Sequence, residues 1–425
     1  MNIYERYKDS GIPWLGKVPE HWEIKPLKFS INNISHKVES QLSNLRYFGL
    51  ENIESFTGRL LLDIELESEG IANEFQENDV LFGKLRPYLA KVHFSRLNGL
   101  VSTEALVFRA SNAVDPKFLF YFCVSSDFID AVNGTTFGSK MPRASWDNIG
   151  NFRMLIPSLK EQTAIAHYLD TKLGEIDALI GKQQTLLEKL AEQRTAVITH
   201  AVTKGLNPAA PMKKSGVEWL GDVPAHWDIK RLKFLGDIVL GLTYSPENIT
   251  NEDKGTLVLR SSNIQNGKLV YEDNVFVNSD IPKRMVTTDK DILICSRNGS
   301  RSLIGKCALI EKDGLNQTFG AFMTVYRTPY RKFVYYSLNS EIFKSQLGLF
   351  LTSTINQLTT QVLGNFNIAF PPLEEQNSIT DYLDQETAKI DRLCETVNQT
   401  IGRLKEYRTA LITQAVTGKI KVTDE

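Results

Sequence analysis

Two short pairs of charged residues have the spacing of a metal-dependent nuclease site. Glu23-Ile24-Lys25 and Asp228-Ile229-Lys230 each place a carboxylate two residues before a lysine. In such an enzyme the carboxylate binds Mg²⁺ and the lysine orients the attacking water. Both pairs stand at the start of an expected strand in a proline-rich frame, without a clear second acid at strand spacing. Because the carboxylate–lysine spacing is present but a clear second acid is not, we keep a metal-dependent DNA nuclease only as an alternative function.

The motifs of other enzyme classes are missing from the sequence. A DNA amino-methyltransferase needs an Asn/Asp-Pro-Pro-aromatic motif, but Asp115-Pro116 is followed by lysine and Pro371-Pro372 is preceded by phenylalanine. The chain contains no G-x-x-x-x-G-K-[ST] phosphate loop. Its four cysteines are scattered and lack histidine partners at the spacing of a zinc site. We therefore predict no catalytic residue, no cofactor and no metal in this chain.

Basic and amide side chains gather in loops at matching places of the two halves. One loop runs Lys84-Leu-Arg86, and its counterpart runs Arg297-Asn-Gly-Ser-Arg301. Arginine and lysine can reach guanine edges or phosphates, and asparagine and glutamine can reach adenine. These loops disfavour a second alternative, a scaffold that does not bind DNA. The predicted DNA-contacting residues are Lys84, Arg86, Lys140 and Arg143 in the first half, and Arg297, Asn298, Arg301, Lys306, Ser353 and Gln357 in the second.

The elements that must position these loops occur twice in the chain. Ser10–Phe29 reads SGIPWLGKVPEHWEIKPLKF, and Ser215–Phe234 reads SGVEWLGDVPAHWDIKRLKF. Pro157–Leu206 and Pro371–Ile420 also align without a gap. A period this long indicates two duplicated modules rather than a solenoid. The interiors of the modules hardly align, which suits two readers of different targets; neutral drift of a duplicated scaffold is the alternative.

The second repeated segment predicts a long helix in each half. Apolar residues of Pro157–Leu206 recur at alternating steps of four and three, which is the seam of a coiled coil. Ser158-x-x-Glu161 predicts a capping box, and Gly205 marks the expected end of the helix. We predict a helix over Leu159–Val202 that pairs antiparallel with its copy. Packing of each helix on its own globular module is the alternative.

Within the first module, composition predicts short strands followed by a helix. β-branched and aromatic residues favour strands over Ile24–Phe29, Val80–Phe82, Ala90–Phe94 and Leu100–Arg109. Pro116–Val132 has the apolar spacing of one helix. In the second module, Asp291–Cys295 repeats the strand that begins at Asp79. We therefore expect both loops of basic residues to follow equivalent strands.

Length and charge limit the class of protein. A chain of 425 residues can hold two or more domains with cores of their own. Its net charge of −1 argues against an all-over basic coat, so DNA contacts must come from local patches or from partner subunits. No apolar run approaches the ~20 residues that cross a bilayer, and the first residues lack a signal peptide's apolar segment. We expect a cytoplasmic protein without membrane contact.

The order of these motifs resembles the specificity subunits of type I restriction–modification systems. The shared features are the Trp-Leu-Gly-x-Val-Pro-x-His-Trp element, the Asp-hydrophobic-Leu strand with its basic loop, and the Pro-x-Leu-x-Glu-Gln helix start. The repeated Tyr-Leu-Asp…Ile-Asp…Arg-Thr-Ala…Ala-Val-Thr helix completes the set. In that family the specificity subunit has no catalytic residues. It binds double-stranded DNA, two modification subunits that methylate adenine, and restriction subunits.

The resemblance implies a mixed α/β fold of order A–B–A′–B′ with pseudo-two-fold symmetry. Two globular target-recognition domains would be held apart by an antiparallel two-helix coiled coil. S-adenosylmethionine, ATP and Mg²⁺ would be bound by the partner subunits. Each domain would read one half of a bipartite, asymmetric DNA site, and the helices would set the gap. The expected segments are residues 1–157 (domain 1), 158–205 (helix 1), 206–371 (domain 2) and 372–425 (helix 2).

Overall fold

The computed structural model describes residues 3–66, 70–350 and 356–422. By internal contacts the chain divides into two compact units. Unit 1 comprises residues 1–184 and 398–425, and unit 2 comprises residues 185–397. Both unit boundaries fall within long helices, so each long helix contributes residues to both units.

Unit 1 combines short strands with three small helices and parts of the two long helices. Its strands are β1 (Tyr7–Asp9), β2 (Lys17–Pro19), β3 (Glu23–Pro26), β4 (Ile31–Ile34), β5 (Lys37–Glu39), β6 (Tyr47–Phe48), β7 (Ile71–Phe75), β8 (Val80–Gly83), β9 (Val92–Phe94), β10 (Gly99–Ser102), β11 (Ala105–Ala110) and β12 (Arg153–Ile156). Its helices are α1 (Pro116–Val124), α2 (Ser126–Asn133), α3 (Trp146–Ile149) and the first part of α4 (Leu159–Lys204).

Two four-stranded sheets form the body of unit 1. One sheet has the order β4-β11-β8-β9 and is antiparallel throughout. The other has the order β5-β7-β10-β6, in which β10 and β6 are parallel. The pairs β1·β2 and β3·β12 hold the duplicated Trp-containing element against this body. The fully buried Trp22 belongs to the same core as the aromatic residues of α1.

Unit 2 repeats this plan with its own strands. They are β13 (Met212–Lys214), β14 (Asp222–Pro224), β15 (Asp228–Arg231), β16 (Asp237–Leu240), β17 (Ile249–Thr250), β18 (Thr256–Leu259), β19 (Ile264–Gln265), β20 (Lys268–Leu269), β21 (Phe276–Val277), β22 (Asp291–Cys295), β23 (Cys307–Leu309), β24 (Thr318–Phe319), β25 (Met323–Arg327) and β26 (Asn367–Phe370). The helices are α5 (Arg331–Leu338), α6 (Glu341–Phe350), α7 (Thr360–Gly364) and the first part of α8 (Leu373–Val416).

One sheet of unit 2 matches unit 1 and the other differs. The order β16-β25-β22-β23 repeats β4-β11-β8-β9 strand for strand. The second sheet has the order β17-β21-β18-β24. It keeps a parallel pair, β18·β24, but β21 joins that pair at β18, whereas β7 joins the parallel pair of unit 1 at β10. The duplicated frame is therefore common to both units, and the second sheet has diverged.

Several predicted strands are interrupted in the structure. The strand expected over Leu100–Arg109 is two strands, β10 and β11, separated by a turn. The strand expected from Ala90 begins at Val92, because Ala90 has left-handed backbone angles with φ of 46°. The strand from Ile24 stops at Pro26, and a 3-10 turn follows. These corrections are turns inside apolar runs, which composition alone does not reveal.

The single helix expected over Pro116–Val132 is wrong, because two helices form there. Asp115 caps α1 by accepting from the amides of Lys117 and Phe118. Ser125 ends α1 with extended backbone angles, and its hydroxyl donates to the carbonyl of Phe122 at 2.7 Å. A serine hydroxyl that bonds a backbone carbonyl three residues earlier competes with helix continuation.

The two long helices bury the predicted seam. In unit 1, Leu169 and Leu173 of α4 share a core with Leu411 and Ala415 of α8. In unit 2, the core contains residues 198–202 of α4 together with Ile379 and Leu383 of α8. Early α4 thus meets late α8, and late α4 meets early α8, so the helices are antiparallel. The same cores contain residues of the globular parts, so each helix end packs on its domain as well as on its partner helix.

Candidate nucleic-acid interface

A buried aspartate fixes the strand that leads into each basic loop. Asp79 lies just before β8 and accepts from Nε and Nη2 of Arg109, both at 2.7 Å. Asp291 opens β22 and is paired in the same way with Arg327, at 2.7 and 2.8 Å. A two-point arginine–carboxylate contact restrains position and angle together. The Asp-hydrophobic-Leu motif therefore fixes the position and direction at which the following loop begins.

In unit 1 this loop pairs with the loop that carries the other predicted residues. The amide of Arg86 donates to Pro142, and the carbonyl of Lys84 accepts from Ala144, at 2.7 and 2.9 Å. Leu85 and Arg143 form an antiparallel bridge between these bonds. Lys84, Arg86 and Arg143 are thus brought together. Arg86 is exposed and has left-handed backbone angles, with φ of 51°.

The charges of this cluster differ in their availability. Arg143 is half-buried, and Glu104 holds its guanidinium at 3.0 Å. This hydrogen bond raises the pKa of Arg143. Lys140 is exposed on the same loop, beside an exposed Phe137. Arg143 therefore stabilises the loop with a charge that is already engaged, while Arg86 and Lys140 present theirs at the surface.

Unit 2 builds the same loop pair from different side chains. Arg297 and Gln357 form an antiparallel bridge, and the guanidinium donates to Gln357 Oε1 at 2.6 Å. The guanidinium carbon also lies 5.7 Å from the centre of the Phe322 ring. The bridge between Leu85 and Arg143 is the unit 1 counterpart. An exposed arginine and an amide are therefore held side by side by a backbone bridge and a side-chain hydrogen bond.

The remaining predicted residues of unit 2 are spread around this bridge. Asn298 donates to the Ser261 hydroxyl at 3.2 Å. Arg301 is exposed and reaches the carbonyl of Gly348 at 3.4 Å. Lys306 is half-buried just before β23, where its carbonyl accepts from the amide of Cys295. Ser353 lies outside the described residues.

Sequence reasoning missed how the Trp-containing element binds the long helix. Glu161 accepts hydrogen bonds from Tyr4 Oη at 2.6 Å and Trp22 Nε1 at 3.1 Å, and His21 Nε2 lies 3.1 Å away. Burial and the bond to Glu161 raise the pKa of Tyr4. The predicted capping box is half formed: Ser158 accepts from the Glu161 amide, but the Glu161 side chain binds Trp22 instead of turning back.

Unit 2 repeats the anchor with one partner fewer. Glu375 accepts from Trp227 Nε1 at 2.9 Å, and His226 Nε2 lies 2.8 Å from the same carboxylate. The position equivalent to Tyr4 is Ala209. The Glu375 side chain is 29% exposed, against 9% for Glu161. The His-Trp pair is kept in both copies, and its pairing with the Glu of the Glu-Gln helix start could have been suggested by that joint repetition.

A second anchor explains the Tyr-Leu-Asp motif. Asp170 pairs with Lys117 and accepts from Tyr121 Oη at 2.6 Å. Burial and this hydrogen bond raise the pKa of Tyr121. The helix α1 is thereby bound to α4. The counterparts in unit 2 are Asp384, Lys332 and Tyr336.

The residues of the nuclease alternative form exposed ion pairs with one another. Glu23 pairs with Lys25 on β3, and this hydrogen bond lowers the pKa of Glu23. Asp228 and Lys230 lie 3.4 Å apart on β15. Across the described ranges, no group of three or more histidine, cysteine or acidic side chains is arranged to hold a metal ion. In the same ranges, none of the helices has both the length and the apolar character that a membrane crossing requires.

Comparison with known proteins agrees with this architecture. The family profile described as "Type I restriction modification DNA specificity domain" matches residues 69–189 and 224–403. The MjaVIII specificity subunit of Methanocaldococcus jannaschii is 25% identical over 99% of this chain and 98% of its own length. The EcoKI specificity subunit of Escherichia coli K12 is 30% identical over 47% of this chain and 44% of its own length.

A solved structure shares the fold. It is described as "Structural basis underlying complex assembly and conformational transition of the type I R-M system", and it is 19% identical with a TM-score of 0.71. The match covers 94% of this chain and 98% of the other. The family profile spans both units and matches most of the sequence. The chain therefore belongs to the family of DNA specificity subunits of type I restriction–modification systems.

Proposed function

We propose that this chain is the non-catalytic, DNA-reading subunit of a type I restriction–modification complex, and that each unit reads one half of a bipartite, asymmetric site. The observation that carries the proposal is the duplicated loop pair. The bridge between Leu85 and Arg143 and the bridge between Arg297 and Gln357 stand at equivalent places after equivalent strands. Their side chains differ, as two readers of different half-sites require.

The contacts divide by their chemistry. Arg297, held by Gln357 and by the Phe322 ring, is a pre-organised donor for a guanine edge or a phosphate. Arg86 and Lys140 are exposed cations for the first half-site. The net charge of −1 agrees with DNA contact through such local patches.

The two long helices set the gap between the half-sites in this proposal. α4 has 46 residues and α8 has 44, or roughly 65–70 Å of helix each. Equivalent helical surfaces occur in both halves, so the complex takes up two copies of one modification subunit, with restriction subunits joining it in the cytoplasm. S-adenosylmethionine, ATP and Mg²⁺ are bound by those partners and supply methyl transfer and DNA cutting.

The deciding experiment is to sequence the methylated adenines of a genome that carries this complex. We expect a motif of two short, unrelated half-sites separated by a fixed gap. A single uninterrupted motif would contradict the assignment of one half-site to each unit. The mass of the purified complex tests the stoichiometry, and a saturated complex with one modification subunit would contradict the equivalence of the two helical surfaces.

The nuclease and scaffold alternatives are tested on the purified chain alone. We expect it to bind duplex DNA with strong salt dependence and to leave the DNA intact in Mg²⁺. Mg²⁺-dependent cutting that is lost in Glu23→Gln would establish the nuclease. Absence of DNA affinity, both alone and with the modification subunits, would establish the scaffold.

A further inference from the structure

Each unit has a β-hairpin that contacts an arginine–aspartate pair between the long helices. Hairpin 1 is residues 53–60, closed by the bridge between Ile53 and Leu60. Hairpin 2 is residues 264–269, closed by Ile264 and Leu269. Both follow a buried asparagine whose side chain accepts from a backbone amide three residues earlier. The hairpins are therefore equivalent, although their tips read ESFTGR and QNGK.

In unit 1 the arginine of the pair holds hairpin 1. Arg408 of α8 donates to Asp177 of α4 at 3.1 Å and to the carbonyl of Phe56 at 3.0 Å. Its side chain is 10% exposed. Phe56, whose carbonyl Arg408 binds, has left-handed backbone angles, with φ of 66°. One guanidinium therefore joins both helices and the recognition domain.

In unit 2 the aspartate of the pair holds hairpin 2. Lys268 of the hairpin is 2.8 Å from Asp391 of α8, and Arg194 of α4 is 3.8 Å from the same carboxylate. Tyr335 Oη also donates to the carbonyl of Gly267 at 3.0 Å. The ion pair again joins both helices and the recognition domain, but through its acidic partner.

A glycine makes the approach of each hairpin possible. Gly58 and Gly267 have φ of +70° and +76°. A Cβ at Gly58 would lie 2.3 Å from the carbonyl oxygen of Val92, and one at Gly267 would lie 2.6 Å from Tyr335 Oη. A side chain at Gly58 would clash with backbone, and one at Gly267 would have to displace the Tyr335 hydroxyl and adopt a strained positive φ. The contact with the ion pair therefore depends on a shape that both copies retain.

The retained contact is informative because its chemistry changed. Drift preserves a contact when the same side chains are inherited, but here one hairpin uses a carbonyl acceptor and the other uses a lysine donor. We propose that Arg408–Asp177 with hairpin 1, and Arg194–Asp391 with hairpin 2, are latches that fix the angle of each recognition domain on its helices. A domain that tilts moves its DNA-contacting loops along the DNA, so the latches act as positioning groups for the gap.

This inference rests on the proposed function, and its test measures the gap separately from the bases. Complexes carrying Arg408→Gln, Arg408→Lys or Lys268→Met replace the native complex in a host genome. The measured quantity is methylation at sites with the native gap divided by methylation at sites whose gap is one base pair longer or shorter. Lys254→Met, at an exposed lysine of the same domain as Lys268, is the control.

We expect the bases of both half-sites to stay unchanged while the ratio falls about tenfold in Arg408→Gln, because a nearly buried charged contact is lost. Arg408→Lys should recover part of the loss, since lysine keeps a positive charge beside the Asp177 carboxylate. Lys268→Met should lower the ratio about two- to fivefold, because its ion pair is largely exposed. Lys254→Met should leave it at the native value.

An unchanged ratio in Lys268→Met and Arg408→Gln would overturn the latch, as would a change of the bases read with the gap intact. Thermal denaturation of each complex shows whether Arg408→Gln is folded at the assay temperature. If it is not, the exposed Lys268→Met still decides. A native complex that gives no two-part motif would overturn the proposed function itself, which separates the two failures.

Discussion

The anchors that join each unit to the long helices use the same side-chain types in both units, whereas the hairpins and the loop pairs use different ones. Trp22 with Glu161, and Trp227 with Glu375, are the same anchor twice. The loop pairs, by contrast, join Arg143 to Glu104 in unit 1 and Arg297 to Gln357 in unit 2. The sheets show the same contrast. The first sheets have equivalent strand orders in the two units, whereas the second sheets have different orders.

This comparison separates two kinds of constraint within one chain. The anchoring residues repeat because both copies meet the same acidic residue types on the long helices, Glu161 and Glu375 at the helix start and Asp170 and Asp384 further along. Residues at the loop pairs are released from that constraint, and under the proposed function they vary with the half-site that each loop would read. A duplicated chain thus reports its own conserved contacts, since each half serves as the reference for the other.

The largest expected effect comes from exchanging one domain. Replacing Leu235–Phe370 with the matching segment of a relative should change one half of the methylated motif and leave the other intact. Methylation of the original site should fall at least about a hundredfold, because each mismatched base pair costs about 1–3 kcal/mol of binding free energy. The segment taken from the relative must keep the two partners of Asp384, which are Lys332 and Tyr336. Simultaneous change of both halves would refute the assignment of one half-site to each unit.

The next effect distinguishes the two anchors. Glu161→Gln should lower the free energy of unfolding by about 2–3 kcal/mol, because its charged oxygens accept from Tyr4 and Trp22 while nearly buried. Glu375→Gln should cost about 1 kcal/mol, because that carboxylate is more exposed and has no tyrosine partner. Denaturant unfolding followed by tryptophan fluorescence measures both losses.

The exposed Glu188→Gln on α4 is the matched control for these anchors and should be neutral. Equal losses for Glu161→Gln and Glu375→Gln would show that the extra tyrosine contributes nothing.

Arg297→Ala examines the diverged loops. If Arg297 reads a base, the change should cost about 1–3 kcal/mol and relax specificity at one position. If it contacts phosphate, binding should weaken for all sequences and the salt dependence should decrease by about one charge. Lys254→Met on the same unit should do neither. Binding that is unchanged at every sequence and salt concentration would remove Arg297 from the interface.

The smallest effect is expected from a circular permutant. Residues near the two ends meet in unit 1: Lys419 Nζ donates to the carbonyls of Leu15 and Lys17, both at 2.7 Å. Met1 and Glu425 themselves lie outside the described residues. Fusing the ends and opening the chain between Asn207 and Ala210 should change stability by less than about 1 kcal/mol and keep the motif. Loss of either half-site would contradict the matching roles of the fused ends and the existing linker.

Local patterns carried the predictions that proved correct, and long-range contacts were out of their reach. The spacing of Leu169 and Leu173 predicted a helix seam, and the repeated Asp-hydrophobic-Leu predicted an equivalent strand in each half. The hydrogen bond between Trp22 and Glu161, which are 139 residues apart, could not be inferred from either segment taken alone. The break at Ser125 depends on one hydroxyl that bonds the backbone carbonyl of Phe122. The DNA contacts stay a prediction.

The division of the long helices between the units has a consequence for biosynthesis. A ribosome releases residues 1–184 first, yet unit 1 also needs residues 398–416, and Tyr7 bonds Gly418 across 411 positions. Unit 2 is one continuous stretch and is complete earlier. The nascent first unit must wait with its apolar helix face uncovered, which is the condition under which multidomain chains aggregate or recruit chaperones. The part of the protein that is translated first is therefore the part that matures last.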